Sequence, residues 1–260
     1  MEDRADPATS DDLSTEVLRI RELSARIFEY RDRFESRRDS RAVFAHAYGR
    51  MTTAIATGLA DAGLDDPAWT AAMVEAFATR FFAAQDAIDE GGTIPPGWAD
   101  VSLELKKART SAYEDLLLGM AAHIIYDLPH ALIDTGFADP LIRSSRLADY
   151  HRMNDILGGA IDDIQEDVAK RYDASVRFLD QLAGRHDELL TNYGMRLWRG
   201  MAWYNAERLL ENPAEVERSI GASPGTLTQV LLHPPGGFDV VLRILRWVSG
   251  WFRRWPSPKK

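Results

Sequence analysis

Apolar side chains recur at helical spacing along most of this chain. The first run extends from about residue 11 to residue 37, and a second extends from about Arg41 to Ala62. A third run begins at Asp66-Pro67, a helix N-cap followed by proline at the first helical position, and ends at Gly91-Gly92. These patterns predict three amphipathic helices behind a disordered leader over residues 1–10.

The same pattern continues through the rest of the chain. A fourth run begins after the turn-forming segment TIPPGW and reaches about Asp134. Pro129 is expected to kink or split this helix, because it removes a backbone donor and clashes with the preceding turn. Two long amphipathic stretches then cover residues 145–183 and 186–210, and clusters of proline and glycine interrupt the chain from Pro213 onward. No alternation of period two is long enough to predict a strand, so the sequence predicts an all-α, single-domain helical bundle of about seven or eight helices over residues 11–237.

Composition narrows the function classes without selecting one. The 260 residues include no cysteine, which removes disulfides, thiolate metal ligands and cysteine nucleophiles. Forty acidic side chains against 31 basic ones leave a net charge of −9, which argues against a nucleic-acid-binding surface. No run approaches about 18 uninterrupted apolar residues, so no membrane-spanning helix is expected, and the acidic N-terminus lacks the pattern of a signal peptide. We therefore expect a soluble, cytoplasmic protein that does not bind nucleic acid.

The segment LLLGMAAHIIYDLPHAL, over residues 116–132, contains the first candidate site. His123, Asp127 and His130 stand at positions i, i+4 and i+7, which places all three on one face of a helix with apolar neighbours. A buried carboxylate without a partner is costly, so Asp127 needs a cation, a metal or an imidazole. The His123–Asp127 pair is therefore a candidate metal chelate, and the alternative is a buried hydrogen bond between the two side chains.

A second His–Asp pair at the same spacing occurs in the next predicted helix. It consists of His151 and Asp155, with Asp149 and Asn154 beside them. If the two helices run antiparallel, the pairs together supply imidazole and hard oxygen ligands, which suit zinc, manganese or iron. Residues at i and i+2 diverge on a helix, so either Asp149 with Asn154 or His151 with Asp155 faces inward. The sequence does not choose between these two alternatives.

A third pattern overlaps the second. Asn154, Gly158 and Asp162 recur at four-residue steps. Oxygen ligands at this spacing suit a magnesium ion held against a diphosphate, with Asn154 and Asp162 as the binding residues. The alternative for the acidic run over residues 162–167 is a solvated helix face.

These motifs resemble an uncharacterised bacterial family of all-helical proteins, a domain of unknown function common in actinobacteria. The matching patterns are AYxxxT at Ala47–Thr52, LLLGxxAHIxxDL at Leu116–Leu128, D[FY]xxxN at Asp149–Asn154 and RxxxWxxA at Arg199–Ala206. The resemblance covers roughly residues 40–210 and implies no assigned activity. It implies a special set consisting of His123, Asp127, Asp149 and Asn154, and so favours Asp149 and Asn154 over His151 and Asp155.

Two further resemblances are more distant. The pattern LGxxxHxxxDxPH is similar to the metal helix of zinc phospholipases C and related single-strand nucleases, which implies zinc ligands at His123, Asp127 and His130. Those enzymes bind three zinc ions, and the six histidines of this chain serve one or two metals at most. The segment NDxxGxxxD, which ends at Asp162, is similar to class I terpene synthases and implies magnesium-dependent binding of a prenyl diphosphate.

Arg199 and the C-terminus are the remaining candidates. Arg199 lies in an aromatic-rich helix, where its guanidinium is suited to a phosphate or a carboxylate, and the alternative is an ion pair with Asp127 or Asp149. Residues 238–260 are predicted to form a basic amphipathic helix with an apolar, aromatic arc opposite its arginines. This pattern is typical of an interfacial helix on anionic lipid, and the alternative is a closing helix that packs on the acidic body.

Three functions are consistent with these features. The first is a zinc-, manganese- or iron-dependent enzyme that hydrolyses a phosphoester or lipid-like ester inside a helical bundle, with Asp127, Asp149 and Arg199 as catalytic residues. The second is a magnesium-dependent lyase or cyclase that acts on a prenyl diphosphate. The third is a non-catalytic lipid- or protein-binding module. The expected partners are a small apolar or phosphorylated substrate and, through the C-terminal helix, a membrane surface.

Overall fold

The computed structural model describes residues 10–173 and 185–233, together with positions 246, 247, 253 and 255. Within these residues the chain forms eight helices and no strand, which confirms the predicted all-α bundle. The helices are α1 (Ser10–Ser36), α2 (Arg41–Gly58), α3 (Pro67–Glu90), α4 (Pro96–Lys106), α5 (Ala112–Asp134), α6 (Arg143–Arg171), α7 (Arg185–Glu211) and α8 (Pro213–Leu232). Apart from residue 10, where α1 begins, the predicted leader lies outside the described residues. So does the predicted extension of α6 over residues 174–183.

The central helix of the bundle is α5. Helices α2, α3, α4, α7 and α8 all pack against it, while α1 covers α2 and α3 and α6 packs on α2. By length and composition α5 also qualifies as a membrane span, although no uninterrupted apolar run in the sequence suggests one. However, 72% of its most apolar window is buried inside the protein. The apolar surface of α5 therefore forms the core, which is compatible with a soluble protein.

Helix α5 changes its hydrogen-bonding register in the middle. Ala112–Ala122 is α-helical, His123–Asp127 forms a π turn, and Leu128–Asp134 is α-helical again. Pro129 has no backbone N–H to offer to the preceding turn, and the N–H of Leu128 bonds to the carbonyl of His123, five residues earlier. The interruption predicted at Pro129 is thus a π turn that precedes the proline, and the helix stays continuous.

The predicted helix between TIPPGW and Asp134 is in fact two helices. The break comes after α4, where Ala108 adopts a left-handed backbone conformation with φ 50°. Helix α5 then begins with a capping box, in which the backbone N–H of Ser111 donates to the carboxylate of Glu114 at 2.8 Å and the Ser111 hydroxyl accepts from the N–H of Glu114. The S-x-x-E pattern of this box is present in the sequence and marks the helix start.

The SIGASPGT cluster over residues 219–226 does not interrupt the chain as predicted, because α8 continues through it. The second cluster, HPPGG over residues 233–237, begins where α8 ends, and its residues from 234 onward lie outside the described residues. Pro224 lies inside this helix. A Cβ atom added to Gly221 would lie only 2.9 Å from the Cβ of Pro96, at the start of α4. Gly221 therefore permits the close approach of two helices, and it is not a turn signal.

Candidate functional site

An apolar cavity lies at the centre of the bundle. It has a volume of about 100 Å³ and is bounded by α2, α3, α5, α6 and α7. Its wall is formed mainly by methionine, aliphatic and phenylalanine side chains, such as Met51, Met73, Phe77, Met120 and Leu157. Along α6 the wall extends from Met153 to Gln165, which corresponds to about 18 Å of helix. The cavity is therefore narrow and elongated.

The predicted pair of His123 and Asp127 stands in the wall of this cavity. Nδ1 of His123 donates a hydrogen bond to Oδ2 of Asp127 at 2.8 Å, and Nε1 of Trp98 donates to the same oxygen at 2.8 Å. Because a carboxylate only accepts hydrogen bonds, the proton of the neutral imidazole lies on Nδ1 and Nε2 is an acceptor. Burial lowers the pKa of His123 and outweighs the opposing effect of Asp127, which keeps the ring neutral.

Two polar atoms beside the cavity have no hydrogen-bond partner among the described residues. They are Nε2 of His123 and the hydroxyl of Tyr48, both buried, and both side chains line the cavity. The two rings stand edge to face with 4.6 Å between their centroids, and Phe77 stacks on His123 at 3.6 Å. Burial raises the pKa of Tyr48 well above its usual value, so the hydroxyl keeps its proton. An acceptor and a donor thus stand side by side in an apolar wall.

Arg199 contributes a buried cation to the same cavity. Its Nε donates to Oδ1 of Asn154 at 2.6 Å, its Nη2 donates to the carbonyl of Tyr150 at 3.1 Å, and the guanidinium lies 4.1 Å from the centre of the Tyr150 ring. All of these partners are neutral, and burial lowers the pKa of Arg199. No carboxylate within the described part of the chain pairs with it, so the alternative predicted for Arg199, an ion pair with Asp127 or Asp149, is absent there.

Asp149 is buried away from the His123–Asp127 pair, in a structural contact. Its carboxylate accepts hydrogen bonds from the backbone N–H groups of Asp65 and Asp66, at 2.9 and 2.7 Å, and from Arg152 at 2.6 Å. These bonds fasten α6 to the loop that precedes α3. The carboxylate that was expected to be catalytic is thus engaged in holding two elements together.

Of the two faces that the sequence left open on α6, the one with Asp149 and Asn154 is buried. His151 and Asp155 are exposed, and Asp155 pairs with Arg196 at 2.8 Å. Asp162 is exposed as well, whereas Asn154 is buried against Arg199. The structure therefore does not bring Asn154 and Asp162 together.

His130 does not share the face of His123 and Asp127 as the spacing predicts. Its Nε2 lies 2.8 Å from a carboxylate oxygen of Glu217 in α8, and its Nδ1 bonds to the carbonyl of Tyr126. The physical reason is the π turn, which adds a residue to one turn of α5 and rotates the positions after it. Only the i, i+4 pair within the turn itself is brought together.

No group of three or more His, Asp or Glu side chains is placed to hold a metal ion in the described residues. Of this pair, Nε2 of His123 is available as a ligand atom, whereas Nδ1 is bonded to Asp127. The other predicted ligands are not brought to them, namely Asp149, His151, Asn154 and Asp155. Zinc, manganese, iron or magnesium binding stays a prediction.

Sequence reasoning missed Tyr48 and Trp98 as parts of the site. Tyr48 lies on the apolar side of α2. Its signal in the sequence is the AYxxxT pattern, which contains a single phenol. Trp98 ends the TIPPGW segment. Its indole donates to Asp127, and this contact is visible only once α4 is packed against α5. Neither contact could be derived from spacing within one helix, since each joins α5 to another element.

A comparison with protein families identifies a match. Residues 20–234 match a family model described as "Family of unknown function (DUF5995)". No curated protein and no solved structure matches the chain. The matched range contains the whole cavity and every helix that bounds it.

Proposed function

The chain belongs to the DUF5995 family of unknown function, and we propose that it binds a single elongated apolar molecule in the central cavity. The proposal rests above all on one observation, the narrow apolar cavity at the centre of the bundle with two unpartnered polar atoms beside it. Acyl and isoprenoid chains match the apolar lining, and the methionine side chains would have to move to admit a long chain, because a cavity of about 150 Å³ holds a single benzene. The function is close to the lipid-binding alternative derived from the sequence.

Packing considerations support this proposal. Protein interiors are close-packed, and cavities lined by aliphatic and aromatic side chains take up small apolar molecules. Five methionines line this cavity: Met51, Met73, Met120, Met153 and Met195. Methionine adapts its shape to different apolar partners, so the wall is suited to a flexible chain.

The two polar atoms mark a position where a hydrogen-bonding group of a ligand would be stabilised. A buried group without a partner costs about 1–3 kcal/mol, and a ligand that satisfies it recovers this energy. A hydroxyl group both donates and accepts, so it is able to pair with Nε2 of His123 and with the Tyr48 hydroxyl together. We therefore expect an alcohol to bind more tightly than the corresponding hydrocarbon.

The test compares Tyr48→Phe with the wild-type protein, using 1-dodecanol as the ligand in isothermal titration calorimetry. Without ligand, we expect the variant to be as stable as the wild type or more stable, by up to about 2 kcal/mol, because an unsatisfied buried hydroxyl is removed. Its affinity for the alcohol should fall by about five- to tenfold, because one hydrogen bond is lost.

The matched control is Tyr30→Phe. The Tyr30 hydroxyl donates to Asp86 at 2.7 Å and lies outside the cavity wall, so the control should lose about 0.5–1.5 kcal/mol of stability and keep the wild-type affinity. Absence of any binding of dodecanol or dodecane by the wild type would contradict the proposal. Equal affinities of Tyr48→Phe and wild type for the alcohol would show that the Tyr48 hydroxyl does not bond to the ligand.

Metal-dependent hydrolysis of a phosphoester or lipid-like ester, the function that the similarity to zinc phospholipases C implies, is a second candidate. The observation in its favour is the unpartnered Nε2 of His123 at the cavity, whose ring is oriented by the hydrogen bond from Nδ1 to Asp127 at 2.8 Å, as is common for metal-binding histidines. Elemental analysis of purified protein and of His123→Ala tests it. Stoichiometric metal that disappears in the variant would support it, and metal-free protein that binds none of zinc, manganese or iron would contradict it.

A further inference from the structure

The environment of Arg199 is unusual for a buried cation. Its side chain is only 4% exposed, and the groups that hold it are an amide oxygen, a backbone carbonyl and an aromatic ring. A buried charge normally has a counter-ion, because leaving water without one is costly. Other arginines of this fold obey that rule: Arg171 pairs with Glu35 at 2.7 Å, and Arg41 pairs with Asp39 and Asp89 at 2.6 Å.

The position of Arg199 shows where a counter-ion would come from. Arg199 lines the central cavity, and among the described wall residues it is the only one with a permanent charge. Asn154 and the carbonyl of Tyr150 fix the guanidinium through Nε and Nη2, and its carbon lies 4.1 Å from the centre of the Tyr150 ring. Such an arrangement is preorganised for an anionic oxygen, because the positioning cost is met before the ligand arrives.

The composition of the cavity wall favours a carboxylate over a phosphate as the anion. A phosphate monoester carries a charge of roughly −1.5 to −2 and needs several donors, whereas a carboxylate carries one negative charge and accepts a pair of hydrogen bonds from a guanidinium. One arginine in an apolar wall balances one carboxylate. The apolar wall then surrounds the chain attached to the carboxylate, once the methionine side chains have moved to admit it.

We infer that the ligand of the central cavity is a long-chain monocarboxylate, with its carboxylate paired to Arg199 and its chain among the methionines and leucines of the wall. This inference rests on the proposed function and names the class of ligand for it. It assigns Arg199 the role of anion receptor and Asn154 the role of a positioning residue.

The experiment measures the affinities of dodecanoate, methyl dodecanoate and 1-dodecanol, all below the concentration at which dodecanoate forms micelles. For wild-type protein, we expect dodecanoate to bind about tenfold more tightly than its methyl ester, because only the acid supplies a charge-assisted partner for Arg199. The preference should change little between low and high salt, since a buried pair is weakly screened.

Arg199→Gln should abolish this preference, so that the variant binds dodecanoate and methyl dodecanoate with equal affinity. Arg196→Gln is the matched control, because Arg196 lies one turn away in the same helix and pairs with the exposed Asp155. The control should keep the preference for the acid.

Each outcome separates the two proposals. If wild type binds the acid and the ester equally well, or if Arg199→Gln keeps the preference, the carboxylate assignment is wrong and the apolar cavity function stands. If none of the three probes binds, the proposed function itself fails. If Arg199→Gln does not fold, the wild-type protein alone tests the carboxylate assignment. A preference for the acid over the ester that changes little with salt supports the assignment, and equal affinities contradict it.

Discussion

At the scale of single residues, burial decides the charge of the histidines in the core. The imidazole of His46 lies beside Asp167, with Nε2 of the ring 3.0 Å from a carboxylate oxygen, and in edge contact with Tyr172. Burial nevertheless lowers the pKa of His46 from 6.5 to about 4, with Asp167 opposing this effect and Arg171 and Arg31 adding to it. His46 is therefore neutral in the folded protein at neutral pH.

This pKa predicts how stability depends on pH. Between about pH 6.5 and pH 4 the unfolded chain binds a proton at His46 that the folded protein does not bind, so the free energy of unfolding decreases as the pH falls through this range. We expect His46→Gln to reduce that decrease by at most about 3 kcal/mol. Urea unfolding at several pH values between 4 and 7 measures it.

The control for this prediction is His233→Gln. His233 is exposed at the end of α8, so its replacement should leave the pH dependence unchanged. The burial of His123 acts in the same direction as that of His46 and is present in both variants. An identical pH dependence in wild type and His46→Gln would show that folding does not change the pKa of His46.

Part of the candidate site was predictable at this scale. The i, i+4 spacing of His123 and Asp127 predicted their hydrogen bond, because residues at this spacing are neighbours on any helix. The partners from other helices, Trp98 and Tyr48, were not predictable, since periodicity does not determine the order in which helices pack. The inward face of α6 was also undecided in the sequence, where both alternatives carry polar residues.

At the scale of elements, the cavity depends on how closely α5 approaches α2. Gly119 of α5 lies under the ring of Phe44, and a Cβ atom at this position would be 2.3 Å from Cγ of that ring. Phe44 itself lines the cavity. The missing side chain at Gly119 therefore sets the position of a wall residue.

We predict that Gly119→Ala destabilises the protein by about 1–3 kcal/mol, because the added methyl group overpacks a tight helix contact. Gly200→Ala in α7 is the matched control, since nothing lies within 4 Å of its added Cβ, and it should stabilise the protein by up to about 1 kcal/mol through helix propensity. Thermal unfolding of both variants measures the difference. Equal effects of the two substitutions would mean that Phe44 moves aside without cost.

The helices themselves could be predicted from the sequence more readily than their interruptions. Periodicity predicted α1, α2 and α3 to within a few residues, since each has a clear apolar face. The π turn in α5 and the continuous α8 were not predicted, because both depend on contacts with other helices. In α8 the contact is that of Gly221 with Pro96. The glycine was expected to end a helix, and it instead allows α8 to pack closely on α4.

At the scale of the whole molecule, the C-terminal residues neutralise buried carboxylates near the start of α5. Arg246 donates to one carboxylate oxygen of Glu114 from Nη2 at 2.7 Å and from Nε at 2.9 Å, and Arg253 pairs with Asp115. These contacts are those expected if the basic C-terminus closes on the acidic body. Most of the predicted helix over residues 238–260 lies outside the described residues, and its contact with a membrane stays a prediction.

The ion pair of Arg253 with Asp115 is expected to contribute strongly to stability, because Asp115 is fully buried. Burial raises the pKa of Asp115 to about 7, and Arg253 opposes this effect. Arg253→Gln should therefore lower the free energy of unfolding by about 3–5 kcal/mol at pH 8, where the carboxylate is left without its cation, and by less at pH 6, where the folded protein holds a proton on Asp115. Adding Asp115→Asn removes the buried charge, so the double variant should recover most of the loss at pH 8. Urea unfolding at the two pH values measures both effects. If the double variant were no more stable than Arg253→Gln alone, the loss would come from other contacts of Arg253, such as its bond to the carbonyl of Thr110, and not from the charge of Asp115.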